Sequence, residues 1–396
     1  MTATTNGPLD GVRVLDLTTI VMGPLATQIL GDLGADVITV EDPRGTLSRV
    51  MTAGPHPQLS GIALNLLRNK RSVVLDLKSG DGHDAVLRLA ATAQVVVTNL
   101  RPGTLERLRL TYDDVAAVQP GIVYCQAQGY PTDSPEADAP AYDDVIQAGT
   151  GLPDAFRRLG GDPQFAPTLM ADKVSGLTIT YAVLAALLHR ERTGEGQRVE
   201  VPMVDVMTAF MLVEHAGAAT ARPPQGPPGY QRILNPARRP QRTSDGWVSV
   251  LPYTRQNFEE IFRAGGRDDL AADDRIRTMR SRLEHADALY GEVAEIIAKR
   301  TTAEWLALCA ESGVPASPVP TFDELIEALP EDDHPVAGRY KVIPQPVRFS
   351  RQWGPTVRRP AALSGEHTDE VLAEVAGPGG GDGTGDDRSG RQQGVR

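Results

Sequence analysis

The stretch VRVLDLTTIVMGPLATQILGDLGADVITVE (12–41) decides the fold. It opens and closes on short, β-branched, almost continuously apolar runs, VRVLDL (12–17) and ADVITVE (35–41). Between them, Pro24 to Gly34 carries a helical pattern. Runs without polar alternation suit strands covered on both faces, as in a parallel sheet. Further along, RSVVLDL (71–77), AQVVVTN (93–99) and GIVYCQAQG (121–129) repeat the strand pattern, with helical patterns over Gly82 to Ala91 and Thr104 to Val118. Strand and helix in alternation predict a doubly wound parallel sheet. Ligands of such sheets sit at the carboxyl ends of the strands. The loops to watch are therefore those that follow strands: TTIVMGP, EDPRG, NLRPG and QGYPTD.

The next long helix runs into RTGEGQ, where Gly194 suits its end. Its Val174, Leu177, Tyr181, Leu184 and Leu188 recur at helical spacing, and alanines and further apolar residues fill most of the rest. That pattern predicts a helix buried nearly all round. RVEVPMVDVM then reads as a short strand and a second helix. The passage 222–246 is rich in proline and glycine and reads as a linker. A smaller α+β unit is expected over 247–340, with a helix capped at Thr302. A return segment is expected over 341–376, ending in GEHTDEVLAEVAG (365–377), and then a disordered tail over 377–396.

The formal net charge of −11 argues against nucleic acid, whose phosphates need a basic face. An anionic cofactor would have to meet a local cluster of Arg and Lys. The two cysteines, Cys125 and Cys309, have no metal or disulfide spacing and suit a reducing, cytoplasmic home. The polar start lacks the order of a signal peptide. The apolar stretch from Val174 to Leu188 is shorter than the ~20 residues a bilayer crossing needs, so no membrane partner is expected. Gly23, Gly31 and Gly34 do not have the spacing of a dinucleotide fingerprint, which disfavours NAD. The seven histidines form no metal pattern, and no Gly-x-Ser-x-Gly elbow supports a serine hydrolase.

Asp172 stands out because it interrupts an apolar stretch at the mouth of the long helix, LMADKVSGLTIT (169–180). It can be an N-cap, satisfying a backbone N–H of the first turn. That reading comes first on local sequence; the other is a nucleophilic carboxylate, held at a helix N-terminus in a partly dry site. The residues alone leave both readings open.

Several stretches taken together resemble the family III CoA-transferases, the family of formyl-CoA transferase, carnitine CoA-transferase and the 2-methylacyl-CoA racemases. They are 10–45, RNKRSVVLDLKSGDG (68–82), VVVTNLRPGTLERLRL (95–110), AYDDVIQAGTGL (141–152), 171–205 and GEHTDEVL (365–372), in order, and the resemblance covers about residues 8 to 376. It implies that Asp172 is the nucleophile of a CoA transfer between an acyl-CoA donor and a carboxylic acid, through an aspartyl covalent intermediate. It implies no permanently bound cofactor, with coenzyme A arriving as substrate. Val21 and Met22 match a segment at the thioester end. Leu75 to Lys78, Asn99 to Arg101 and Arg107 match segments that hold the CoA nucleotide, and the segment around Tyr142 matches another CoA-binding one. Lys70, Arg71, Lys78, Arg101 and Arg107 would supply the positive charge for its phosphates; for Lys70 and Arg71 a solvated basic face is the other reading. The resemblance further implies a Rossmann-like large domain made of both chain ends, a smaller α+β domain, and an interlocked-ring homodimer.

Two departures from the family pattern bear on chemistry. Transferases often carry Gln where this chain has Val21, so backbone amides would have to serve there. ILNPARRPQRTSDG (233–246) stands where formyl-CoA transferase has a glycine-run loop, which disfavours formyl and oxalyl groups. The racemase alternative needs a histidine base where this chain has Tyr142, and a phenol with an ordinary pKa near ~10 is a poor base at neutral pH. A CoA-binding protein without catalysis is the remaining alternative, and the presence of Asp172 argues against it.

Overall fold

The computed structural model describes residues 7–351 and 354–376; the tail expected over 377–396 lies outside them. The opening stretch folds as read, with β1 (Arg13–Leu17), α1 (Met22–Asp32) and β2 (Asp36–Glu41). There follow α2 (Gly61–Leu66), β3 (Lys70–Val74), α3 (Gly80–Thr92), β4 (Val95–Thr98), α4 (Pro102–Leu108), α5 (Tyr112–Val118) and β5 (Val123–Gln128). The helix expected over Thr104 to Val118 is thus two helices. Arg109 turns left-handed after α4, and Thr111 and Asp114 form a capping box that starts α5. Then come α6 (Asp143–Gly149), α7 (Leu152–Arg158), α8 (Met170–Thr193), β6 (Gln197–Pro202) and α9 (Met203–His215).

The six strands form one sheet in the order β3-β2-β1-β4-β5-β6, with every pairing parallel. This is a doubly wound order, and its direction reverses between β1 and β4. Side chains alternate between two cores, as the two-residue period requires. Val14, Val37, Val95, Val97 and Val123 pack under α1, α8 and α9. Leu15, Ile38, Val40, Val73, Val96 and Tyr124 pack on the other side, under residues of α3, α4 and α5.

The long helix α8 departs from the all-round burial expected of it. Its buried face is a line of small and medium residues, Ala171, Ser175, Gly176, Ile179, Val183 and Ala186, while Leu177, Tyr181 and Leu188 are 56%, 63% and 52% exposed. Helical spacing marks a face without saying which neighbour covers it. Gly176 is what lets α8 lie against α1: a Cβ there would stand 2.8 Å from the backbone oxygen of Met22.

Beyond α9 the chain forms a three-stranded sheet from β7 (Gln241–Arg242), β8 (Trp247–Val250) and β9 (Ala316–Pro318). With it come α10 (Arg255–Ala264), α11 (Asp268–Ala271), α12 (Met279–Glu284), α13 (Ala286–Ile297) and α14 (Thr302–Ser312). The cap of α14 is Thr301, one residue before the expected Thr302. This unit's core runs from Val248 to Ala316. After α15 (Phe322–Glu327), the hairpin of β10 (Glu331–His334) and β11 (Gly338–Lys341) places Tyr340 against Leu59, Ala63, Leu64 and Leu67 beside the large sheet. The last helix, α16 (Thr368–Glu374), puts Val371 into the core next to β3.

Candidate active site

A cleft of about 310 Å³ opens where the sheet order reverses. Its wall comes from the loop after β1 (Thr19, Ile20) and the first residue of α1 (Met22), the loop after β4 (Asn99, Arg101) and the end of β5 (Gln128, Gly129). The rim at 137–142, Met203 of α9 and Asp172 complete it. The sequence-expected residues Met22, Asn99, Arg101, Tyr142 and Asp172 therefore meet in one place.

Asp172 is not an N-cap. Leu169 holds the cap position of α8 without a side-chain hydrogen bond, and Asp172 lies in the first turn. Among the described residues its carboxylate has no hydrogen-bond partner, though it is 8% exposed. Burial first, and then the charge of Asp143, push its pKa up to about 6. Asp143, itself buried, takes the backbone N–H of Asp172 at 2.9 Å on one oxygen and the side-chain amide of Gln147 on the other. Gln147 in turn accepts the N–H of Ala166 at 2.9 Å, which ties down the approach to α8. The Asp172 carboxylate is thus positioned through its backbone and left uncommitted at its oxygens. At pH 7 a group with a pKa of about 6 is about nine-tenths ionised, and it is more basic than an ordinary carboxylate. Both properties suit a nucleophile.

The rest of the expected set divides. Arg101 caps the start of α4, and its guanidinium donates to the Asp138 carbonyl at 3.0 Å, joining that helix to the rim. Tyr142 stands exposed at the start of α6. Val21 is buried at the N-terminus of α1 and Leu75 is buried in the core, so neither presents its side chain to the cleft. Lys78 and Arg107 are exposed outside the cleft. Lys78 adds its charge to that of Arg44, which foremost holds the Asp42 carboxyl down to about 2. Arg107 donates to Thr104, a residue of the cleft wall, at 3.0 Å.

Lys70 and Arg71 are corrected in role. Lys70 is 2% exposed and donates to Asp16 at 3.1 Å, to Thr27 at 2.7 Å and to the Pro24 carbonyl at 2.9 Å. Arg71 is buried among Asp36, Glu370 and Glu374. Both are committed to carboxylates of the sheet and of α16 and cannot face a phosphate. A sequence shows that a cation exists but not whether an acid distant in the chain has taken it. Cys125 is buried and its thiol is pushed up to about 12, as suits an inert core residue.

Two contributions lie outside the sequence reading. Gln128 is 3% exposed, and its amide donates to Glu200 at 3.2 Å. Its carbonyl oxygen is buried with no hydrogen-bond partner among the described residues. The only sequence sign was its place in QGYPTD, after a strand. Ser48, which bonds the Ile20 carbonyl at 2.7 Å, comes from a turn after β2 and carried no sign at all. No histidine lines the cleft, and no cluster of His, Cys, Asp and Glu among the described residues could hold a metal.

Comparison with known proteins bears on this arrangement. The profile of CoA-transferase family III matches residues 9–368. "Probable fatty acyl-CoA transferase Rv3272" of Mycobacterium tuberculosis is 34% identical over 385 residues, covering 92% of this chain and 98% of that one. Succinyl-CoA:glutarate CoA-transferase of Mus musculus is 31% identical over 379 residues, covering 93% and 86%. The crystal structure of a CAIB/BAIF family protein from Brucella suis superposes with a TM-score of 0.80 at 28% identity, covering 94% of this chain and all of that one. A match that runs from the loop before β1 to the start of α16 takes in every wall of the cleft, and by it the chain belongs to CoA-transferase family III.

Proposed function

We propose that this family III CoA-transferase works through covalent intermediates on Asp172. The observation that carries the proposal is the buried carboxylate, without a hydrogen-bond partner among the described residues, inside the cleft where the sheet order reverses. A carboxylate oxygen of Asp172 attacks the thioester carbonyl of an acyl-CoA. The C–S bond breaks, leaving an acyl-aspartyl anhydride and CoA thiolate. The thiolate attacks the aspartyl carbonyl and releases the first acid as its carboxylate. The acceptor carboxylate then attacks the aspartyl-CoA thioester, and thiolate attack on the new anhydride yields the product thioester and restores Asp172. No net proton is consumed, and each intermediate stays activated. Water exclusion protects the anhydride. The absence of a histidine from the cleft wall supports transfer over racemisation.

In this reading the thioester end of CoA lies against Met22 and Tyr142, with the backbone at Val21 serving in place of a side chain. Its phosphates face Arg101, Arg107 and Lys78. Val21 and Leu75 shape the wall from behind. A cytoplasmic, interlocked homodimer belongs to the same proposal. Its support is the apolar face that a single chain leaves open, with Leu177, Tyr181 and Leu188 on α8 and Phe210 and Val213 on α9. Two rings so linked persist on dilution, and a folded, active monomer at nanomolar concentration in sedimentation would refute the linkage.

Turnover with a panel of fatty and dicarboxylic acyl-CoA donors and acids, read by mass spectrometry, tests the chemistry. Hydroxylamine should convert Asp172 to the hydroxamate only during turnover. Asp172→Ala should lose CoA exchange while still binding CoA. Exchange retained by the alanine variant would refute the assignment.

A further inference from the structure

Ile20 lies in the cleft wall with φ of 73°. A β-branched residue is a genuine outlier in the left-handed region, because its side chain crowds the backbone there. Such conformations persist only where the surroundings over-determine them. Here three strand ends do so. From β1, Asp16 accepts both the N–H and the hydroxyl of Thr18, at 3.0 and 2.5 Å. From β4, the Asn99 amide clamps Thr19 on both sides: its oxygen takes the Thr19 N–H at 3.0 Å and its nitrogen donates to the Thr19 carbonyl at 2.9 Å. From the turn after β2, buried Ser48 donates to the Ile20 carbonyl at 2.7 Å. That turn is fixed in its own right by a buried two-pronged pair between Arg49 and Glu41, both contacts at 2.6 Å.

We propose that Asn99 is a positioning residue for the transfer reaction, which together with Ser48 holds Ile20 in the left-handed conformation and so fixes the cleft wall that shares its cavity with Asp172. The geometry gives the amide a task inside the protein in place of a contact with the nucleotide. Both ends of its hydrogen-bonding fork are spent on one residue, Thr19, whose carbonyl belongs to the peptide that leads into Ile20. The consequence falls on the start of α1, since Val21 and Met22 follow Ile20 directly. If Ile20 relaxes to negative φ, those residues swing away from the place where an acyl carbonyl must sit. The substrate can still bind along the rest of the cleft, but the reacting groups lose alignment. Losses of this kind appear in kcat and not in KM.

The inference rests on the assignment of this cleft to acyl transfer, and its test is built to fail separately. Asn99→Ala should lower kcat at least tenfold, with KM for the CoA thioester within threefold of the wild type. Ser48→Ala should move kcat in the same direction by a smaller factor. Glycine takes positive φ without steric cost, so in an Ile20→Gly background Asn99→Ala should cost less than threefold in kcat. The same cycle read by thermal melting should show the same coupling, with the Asn99→Ala drop in midpoint at least halved by Ile20→Gly. That readout is independent of which residue is the nucleophile, so it stands even if Asp172→Ala stays active. A raised KM at unchanged kcat would make Asn99 a ligand contact and overturn the proposal. Additive losses in the cycle would overturn it too, because the amide would then not act through residue 20.

Discussion

Replacing Asp172 by asparagine should make the protein more stable and inactive at once. The carboxyl's pKa is raised from 3.8 to about 6 by burial and by Asp143. A rise of about 2 units at 1.36 kcal/mol each amounts to about 3 kcal/mol of destabilisation when the group is ionised. The sign follows from proton counting. Between about pH 4 and 6 the folded chain holds a proton that the unfolded chain has already released. Stability therefore falls as pH rises through that window and is level above it. Asparagine carries no such slope and keeps the shape. The stability gap between variant and wild type should be near zero below about pH 4 and reach about 3 kcal/mol by pH 7. For a chain of 396 residues, with ~2.1 cal/mol/K of unfolding entropy per residue, that is about 4 °C in the melting midpoint. Calorimetric melts of both proteins at matched concentration from pH 4 to 8 make the measurement. A gap that stays constant with pH, or none at pH 7.5, would show that Asp172 is not held in an unfavourable charged state.

Asp143→Asn keeps an oxygen for the Asp172 N–H but removes the charge. The acid limb of the pH–rate profile should move to lower pH by a fraction of a unit, since burial is the larger cause of the shift; an unmoved limb would refute the coupling. Arg107→Ala should raise KM for CoA thioesters several-fold at unchanged kcat, and less at high salt, if it meets a phosphate. A fall in kcat at constant KM would place it elsewhere. Lys70→Met should cost about 3–5 kcal/mol in urea denaturation, because it strands the buried Asp16 carboxylate. A loss under 1 kcal/mol would mean that the Lys70–Asp16 pair is not what holds the ends of β1 and β3 together.

Much of the large sheet was legible because its strands are buried on both faces and so announce themselves as unbroken β-branched runs. The segments after β1, β4 and β5 located the cleft to within a few residues, whereas EDPRG, after β2, lies outside its wall. What escaped was whatever depends on partners distant in the chain. Lys70 and Arg71 look like surface cations until Asp16 and Glu374 are found 54 and 303 positions away. On α8, the large apolar residues drew attention to one face, while the small ones, Ser175 and Gly176 among them, mark the face that packs. The break between α4 and α5 carries no Gly or Pro, yet the Thr111–Asp114 capping box was there to be read. Asp143 stands in AYDDVIQAGTGL, but nothing local says that its carboxylate reaches the backbone of α8.

The pairing of Arg71 with Glu374 also sets a clock for biosynthesis. The two are 303 residues apart, and a ribosome adding about 5–20 residues per second takes about 15–60 s to cover that distance. Throughout that interval β3, the edge of the sheet, lacks α16 and the carboxylates of Glu370 and Glu374, while its arginine has only Asp36. An open strand edge on a nascent chain is a template for wrong pairing. The sheet domain therefore completes itself only as the last helix emerges, and a messenger truncated before codon 368 should yield a chain that reaches for chaperones or aggregates, even though every cleft residue has already been made.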